Sequence, residues 1–321
     1  TIASAKGNLK SNVKFGVEPE KIVSPEDYQS DFHQYWERAK KELAAVDPQF
    51  KMTLVDSLST GTKNMYVVEM RSLGNVQVKG WYAVPKKPGK YPAILHVQGY
   101  SSFLKPEWMY GGDDMISFGL NIRGHGFSKL DIDPWPTHPY IADHIHDKEM
   151  YIYRGAYMDC RRALDFLCTR PEVDTTKLVV EGGSQGGALS AATAALNPER
   201  IKLCLPHVPF LSDFKDYFAL VNWPGNEVKN YLEKNYISWD QAFYTLSYID
   251  IKNLAHLIKC PVFMAIGLMD DVCPPHINFA FYNQVKTRKE YLVYPFSGHG
   301  VPNEYHKLKY DWIKKNLGID K

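Results

Sequence analysis

The sequence lacks the features by which nucleic-acid-binding and membrane proteins are usually identified. Its 321 residues carry a formal net charge of +2 and no long basic run, so no nucleic acid is expected as a partner. The longest apolar runs, such as residues 261–269, are too short to cross a bilayer. We therefore expect neither nucleic acid nor membrane among its partners.

Cysteine is sparse and is not arranged in pairs. The five cysteines include no C-x-x-C motif, which argues against a disulfide framework and for buried thiols that pack as small hydrophobic groups. The segment Thr1–Gly7 contains the letters A-S-A, as found at signal-peptide junctions. This slightly favours an exported or periplasmic protein over a cytoplasmic one, but the same letters fit an arbitrary boundary, so the compartment stays open.

What the sequence does contain is an alternation of strand-like and helix-like segments. Residues 1–85 hold a helical stretch, with Ser24 as its predicted N-cap, and then strand-like runs separated by glycine turns. From residue 91 onwards, continuous apolar strands alternate with amphipathic helices. This predicts an α/β fold with a mostly parallel sheet covered by helices on both faces, after an antiparallel entry. We expect a single domain over residues 1–321.

Residues 207–250 interrupt this alternation. The segment is rich in aromatic residues and is helical in parts, at 214–220 and 239–246. It is expected to be an insertion over the active-site edge of the sheet. Its aromatic side chains, Phe210 and Trp223 among them, either face a ligand or pack against the sheet.

A serine lies within a cluster of glycines where a strand-like run gives way to a helix-like run. Gly182 and Gly186 stand two residues to either side of Ser184. Strand, G-x-S-x-G and helix make up a nucleophile elbow, a strained turn that projects the serine Oγ into a cleft. A phosphate-binding loop is the alternative, but no G-x-x-x-x-G-K-[ST] motif is present. Ser184 is therefore the predicted nucleophile.

A serine hydroxyl needs a base, and in this type of fold the acid and the histidine follow the serine along the chain. His299 lies in a short glycine-flanked loop between the last predicted strand and the last helix, whereas His306 falls on that helix. Asp270 and Asp271 both follow a buried strand directly, and only one of them can orient the imidazole. We expect Asp270 to do so, and Asp271 to cap a helix or to face solvent.

Two backbone N–H groups are predicted to stabilise the oxyanion that forms during attack. One belongs to Gln185, which follows the nucleophile at the start of a helix. The other is expected in the loop after a preceding buried strand, where Tyr100 follows Gly99.

His144 and His146 have a spacing that could hold a metal, but we interpret them as part of a solvated loop before a helix. The predicted chemistry needs neither a metal nor a cofactor.

Taken together, these motifs resemble those of the acetyl xylan esterase and cephalosporin-C deacetylase family of α/β-hydrolases, carbohydrate esterase family 7. The likeness extends over nearly the whole chain and includes D-F-H-Q-Y-W, G-Y-S-S, Y-M-D-C-R-R-A-L-D-F-L, G-G-S-Q-G-G, G-L-M-D-D-V-C-P-P and S-G-H-G. Where the family has R-G-Q and H-E, this sequence has Arg123-Gly124-His125 and His299-Gly300. Arg123 is expected to tie down its loop rather than to contact substrate.

Matched position by position, the resemblance implies Ser184, Asp270 and His299 as the triad, with Tyr100 and Gln185 as oxyanion donors. It implies a serine esterase that hydrolyses O-acetyl esters of xylo-oligosaccharides or similar small acetylated substrates through an acyl-enzyme. The family forms hexamers, so the resemblance allows a homo-oligomer. The alternatives are a serine peptidase of the prolyl-oligopeptidase type, a general carboxylesterase, and an inactive scaffold used for binding. The lack of a propeller-like repeat argues against the peptidase, and the retained triad argues against the scaffold.

Overall fold

The strands and helices follow the alternation of the sequence. The computed structural model describes residues 2–4, 7–9, 14–109 and 111–319. Its strands are β1 (Ile2–Ser4), β2 (Gly7–Leu9), β3 (Lys51–Leu54), β4 (Lys63–Arg71), β5 (Gln77–Pro85), β6 (Tyr91–Val97), β7 (Ile116–Asn121), β8 (Val173–Gly183), β9 (Ile201–His207), β10 (Val262–Gly267) and β11 (Lys289–Tyr294). Its α-helices are α1 (Phe32–Ala45), α2 (Ile152–Thr169), α3 (Gln185–Leu196), α4 (Phe214–Leu220), α5 (Gly225–Lys234), α6 (Trp239–Leu246), α7 (Ile251–Leu254), α8 (Pro275–Gln284) and α9 (Asn303–Leu317).

A nine-stranded sheet organises the fold, in the order β11-β10-β9-β8-β6-β7-β5-β4-β3. The strands from β11 to β7 run parallel to one another, whereas β5, β4 and β3 extend the sheet in antiparallel fashion. β1 and β2 form a separate antiparallel pair. The predicted fold class is confirmed: the sheet is mostly parallel and begins with antiparallel strands.

The central strands are buried on both faces, as their continuous apolar runs predict. Every residue of β7 and β10 is buried, and so is all of β6 beyond Tyr91. Helix α3, with its run of alanines, is buried throughout and packs closely on β8 and β9. On the other face, α9 presents Tyr305, Ile313 and Leu317 to the sheet. The parallel strands therefore all end at the same edge of the sheet, and helices cover both faces of the sheet. The loops at this edge can form a site.

One helix boundary differs from the prediction. Helix α1 begins at Phe32 with Asp31 as its N-cap, so Ser24 does not start a helix. The residues before it are held by a tertiary contact, because the Asp27 backbone N–H donates to Asn253 Oδ1 at 3.0 Å and Asn253 Nδ2 donates to Asp27 Oδ1 at 3.0 Å. A distant amide side chain therefore overrides the local capping signal.

The segment between β9 and β10 carries four helices, α4 to α7. Two of them, α4 and α6, have the bounds that the sequence predicts. Of the helices within the described ranges, none is long and apolar enough to cross a membrane.

Candidate active site

Ser184 occupies the tight turn between β8 and α3. Its backbone has φ 57° and ψ −121°, a strained conformation for a residue with a side chain. The flanking glycines have a steric cause, because a Cβ on Gly186 would lie 2.2 Å from the Val97 carbonyl oxygen and one on Gly182 would lie 2.6 Å from it. The elbow can therefore press against the neighbouring strand β6 only if both positions are glycine.

The structure brings Ser184, Asp270 and His299 together from the ends of three strands. His299 Nε2 lies 2.9 Å from Ser184 Oγ, and His299 Nδ1 lies 2.9 Å from Asp270 Oδ2. If Nδ1 carries the proton that bonds to the carboxylate, Nε2 is left as the acceptor for the serine hydroxyl. The geometry therefore joins the predicted nucleophile, base and orienting acid in a continuous hydrogen-bonded chain.

Asp270, rather than Asp271, faces the imidazole. Its side chain is buried, and Oδ1 also accepts the backbone N–H groups of Val272 at 2.9 Å and Cys273 at 2.8 Å. Asp271 is exposed. The carboxylate of Asp270 is thus fixed by two backbone donors before it contacts the histidine.

The two predicted oxyanion donors flank the serine. The backbone N–H groups of Tyr100 and Gln185 have no acceptor among the residues that the structure describes, so both are free to bind a developing negative charge. Gln185 is the first residue of α3, and the partial positive charge of the helix N-terminus adds to the effect.

A contact that the sequence does not predict links these two donors. Tyr153 Oη on α2 donates to Gln185 Oε1 at 2.6 Å, and Gln185 Nε2 donates to the Gly99 carbonyl at 3.4 Å. The side chain of one predicted oxyanion donor therefore holds the loop that carries the other, Tyr100. His125, the departure from the family's R-G-Q, lies with its Nε2 3.4 Å from Gln185 Nε2. Burial lowers the pKa of His125 to about 4, so this imidazole is neutral at pH 7.

Arg123 ties its loop down, as predicted. Its guanidinium donates to both carboxylate oxygens of Asp159 at 2.7 and 2.9 Å and to the Leu73 carbonyl at 3.0 Å. These three hydrogen bonds fix the guanidinium within the protein and join the end of β7 to α2.

Two cavities meet at Ser184 and His299. The first, which we call the small cavity, has a volume of about 120 Å³. Its walls are Tyr100, Phe210, Tyr217, Trp223, Val272 and Cys273. Burial raises the pKa of the Cys273 thiol well above its usual range, so it lines the wall as a small apolar group and not as a thiolate. Of the predicted aromatic residues, Phe210 is buried, whereas Trp223 is 45% exposed.

The second cavity, which we call the large cleft, has a volume of about 690 Å³. It is lined by polar and aromatic residues from the ends of β6, β8 and β9, from the turn at 106–109 and from α9. They include His96, Gln98, Trp108, Glu181, His207, His306, Lys309 and Tyr310. The two sides of the serine thus differ in both size and polarity.

Groups with metal-ligand chemistry lie in two other places. His144 Nδ1 lies 3.0 Å from Asp143 Oδ1, which His138 also contacts, and His146 stays exposed. A second group, Asp213, Asp216 and His276, has ligand atoms within 4.8 Å of one another. In this second group the Lys252 ammonium lies 3.2 Å from Asp213 Oδ1, so the Asp213 carboxylate already has a cationic partner. Neither group lines the two cavities at Ser184.

The chain is similar to known proteins in both sequence and structure. The sequence pattern of the family described as acetyl xylan esterase (AXE1) matches residues 20–316. The acetyl esterase Axe7A of Xylanibacter ruminicola is 29% identical over 330 residues, which cover 98% of this chain and 73% of that protein.

Two solved structures are similar over nearly their whole length. Acetyl xylan esterase 1 from a Thermoanaerobacterium species gives a TM-score of 0.84 at 28% identity, covering 93% of this chain and 98% of that one. The acetyl xylan esterase from a Paenibacillus species gives 0.86 at 30% identity, with the same coverage. The resemblance and the α/β-hydrolase fold that the motifs predict are both confirmed.

Proposed function

The chain belongs to the acetyl xylan esterase family, and from that premise we propose that it removes O-acetyl groups from xylo-oligosaccharides or similar small acetylated substrates. As a member of this family it is a carboxylic-ester hydrolase. We propose that it acts on acetyl esters through a serine acyl-enzyme.

The reaction follows from the hydrogen-bonded chain at Ser184. Ser184 Oγ attacks the ester carbonyl carbon while His299 Nε2 takes the hydroxyl proton, and the buried Asp270 carboxylate stabilises the resulting imidazolium. The carbonyl oxygen becomes an oxyanion held by the N–H groups of Tyr100 and Gln185. When the C–O bond to the alcohol breaks, His299 returns the proton to the leaving oxygen. Water then attacks the acyl-enzyme by the same route and releases acetate.

The observation that carries the choice of acyl group is the small cavity. Its volume of about 120 Å³ equals the space of about four water molecules. An acetyl group fits this space, and a longer acyl chain extends towards aromatic walls that belong to the insertion or pack against it. Phe210, for example, contacts the rings of Tyr100 and Tyr217. Over-filling such a packed space is unfavourable.

The proposal is tested by labelling and by product analysis together. A fluorophosphonate probe should label Ser184, and the Ser184→Ala variant should neither be labelled nor release acetate from acetylated xylobiose. Ser101→Ala, which removes an exposed hydroxyl from the neighbouring loop, is the matched control and should be labelled normally. Labelling that persists in Ser184→Ala would show that the nucleophile is another residue. Cleavage of a peptide in place of acetate release would indicate a peptidase.

A further inference from the structure

The large cleft has an exposed aromatic wall beside the nucleophile. Trp108, in the turn at 106–109, is 53% exposed and lines the same cleft as Ser184 and His299. Helix α9 contributes His306 and Tyr310 to the same cleft. An exposed indole at a site of this kind offers a flat apolar surface to a ligand.

The inner wall of the cleft is polar, and its charges are already paired. His96 Nδ1 lies 2.5 Å from Glu181 Oε1, and the Lys309 ammonium donates to Glu181 Oε2 at 2.5 Å. Burial alone would raise the pKa of Glu181, but Lys309 and His96 outweigh it and hold that pKa well below its usual range. The charges of the Glu181 carboxylate and the Lys309 ammonium therefore neutralise each other. A ligand of this wall needs no charge of its own.

Several hydrogen-bonding atoms in this wall have no partner among the described residues. They are His96 Nε2, both amide atoms of Gln98 and His207 Nδ1, none of which finds a hydrogen bond within the described residues. Gln98 is 2% exposed and His96 7% exposed, so these are buried polar atoms. Because such atoms are costly when left unpaired, the wall suits an occupant that brings hydroxyl donors and acceptors.

We infer that the large cleft is the leaving-group subsite, and that it binds a neutral pyranoside whose ring lies against Trp108 and whose hydroxyls face His96, Gln98 and His207. A pyranose has both an apolar C–H face and a rim of hydroxyls, which matches one aromatic wall and one polar wall. The inference rests on the proposed function, since it takes the sugar to be the alcohol that His299 protonates.

Volume and chemistry place the sugar on this side of the serine. The small cavity, at about 120 Å³, has no room for a pyranose beside an acyl group, whereas about 690 Å³ lies within the range of sites that bind small molecules. His299 and Gly300 line the cleft, so an alcohol oxygen leaving into it stays next to the base that must protonate it.

The kinetic test compares two esters of the same acyl group. We define the sugar preference as kcat/KM for acetylated xylobiose divided by kcat/KM for ethyl acetate, whose leaving group has no ring. Trp108→Ala should lower the sugar preference about fivefold, the size of one aromatic contact. Phe103→Ala is the matched control, because Phe103 is 49% exposed in the same loop but lines a neighbouring groove that does not include Ser184.

A second pair of variants tests the part of the cleft that α9 lines. His306→Ala should also lower the sugar preference, while Leu308→Ala, an exposed residue of the same helix that does not line the cleft, should not. The inference would be overturned if the sugar preference changed in Phe103→Ala or Leu308→Ala but stayed the same in Trp108→Ala and His306→Ala.

Binding without catalysis separates this inference from the proposed function. Calorimetry with Ser184→Ala and unacetylated xylobiose should detect binding that weakens about fivefold when Trp108→Ala is added, but not when Phe103→Ala is added. Equal binding with and without Trp108, or no binding at all, would overturn the subsite even if the wild-type protein releases acetate from acetylated xylobiose. Failure of the wild-type protein to hydrolyse any acetate ester would instead overturn the proposed function.

Discussion

The small cavity and the large cleft meet at one serine, yet they are built by different parts of the chain. The small cavity takes Phe210, Tyr217 and Trp223 from the segment between β9 and β10. The large cleft takes its polar wall from the ends of β6, β8 and β9 and from α9. The sheet thus supplies the hydrogen-bonding side of the site and the insertion supplies the apolar side. Under the proposed function, changes in the insertion should alter acyl selectivity without changing the residues assigned to the alcohol side.

The largest effect is expected at Asp270, because its carboxylate contacts His299, which lines both cavities. Asp270→Asn should lower kcat about 10³- to 10⁴-fold, since the amide favours the wrong imidazole tautomer. Ser184 and His299 line both cavities, so the loss of kcat should not depend on the acyl group or on the alcohol. Steady-state kinetics with acetate and butyrate esters of small and large alcohols measures this. Asp271→Asn, at the exposed neighbouring position, should have a much smaller effect. A reversed order of the two variants would contradict the assignment of Asp270.

The second prediction concerns the polar side alone. Burial lowers the pKa of His207 to about 3, against about 6.5 in an unfolded chain. Because the folded state holds this imidazole neutral, its stabilising contribution is present above pH 6.5 and is lost as the pH falls towards 3. We expect the free energy of unfolding to fall by about 2 kcal/mol between pH 6.5 and 5 through this group, and by correspondingly less in His207→Gln.

Chemical denaturation at a series of pH values measures this difference. His146→Gln, in an exposed loop, is the control and should follow the wild-type curve. Parallel curves for wild type and His207→Gln would show that the imidazole is not held neutral in the cleft.

The third and smallest effect concerns the apolar side. From p-nitrophenyl acetate to the butyrate ester, kcat/KM should fall about tenfold or more, because the longer chain presses against the packed aromatic walls of the small cavity. Trp223→Ala opens one wall and should reduce this penalty, whereas Phe103→Ala, outside both cavities, should leave it as it is. A wild-type preference for butyrate would indicate a general carboxylesterase and would remove the contrast between the two sides.

The sequence predicts the parts of the site that depend on chain order. Ser184, Asp270 and His299 each follow a recognisable apolar strand, and parallel strands end at the same edge, so their proximity can be inferred before any coordinates are known. The start of α1 could not be predicted, because the contact of Asp27 with Asn253 joins residues 226 positions apart.

The polar wall of the large cleft could not be predicted for a similar reason. His96 meets Glu181 only because β6 and β8 pair in one particular register, and Lys309 reaches them only through the packing of α9. The contact of Tyr153 with Gln185 is of the same kind, since a tyrosine on an amphipathic helix carries no signal of its partner. Tertiary pairing, rather than local pattern, decides these contacts.

The ion pair between Lys309 and Glu181 also affects how the molecule opens. If α9 separated from the sheet by itself, the ion pair of Lys309 with Glu181 would break in the same step as the apolar contacts of Tyr305, Ile313 and Leu317. Detachment of α9 therefore costs both an ion pair and buried apolar area. The helix, the β8 strand below it and the elbow at Ser184 should behave as one cooperative unit, so that thermal fluctuations leave the nucleophile and its base in register.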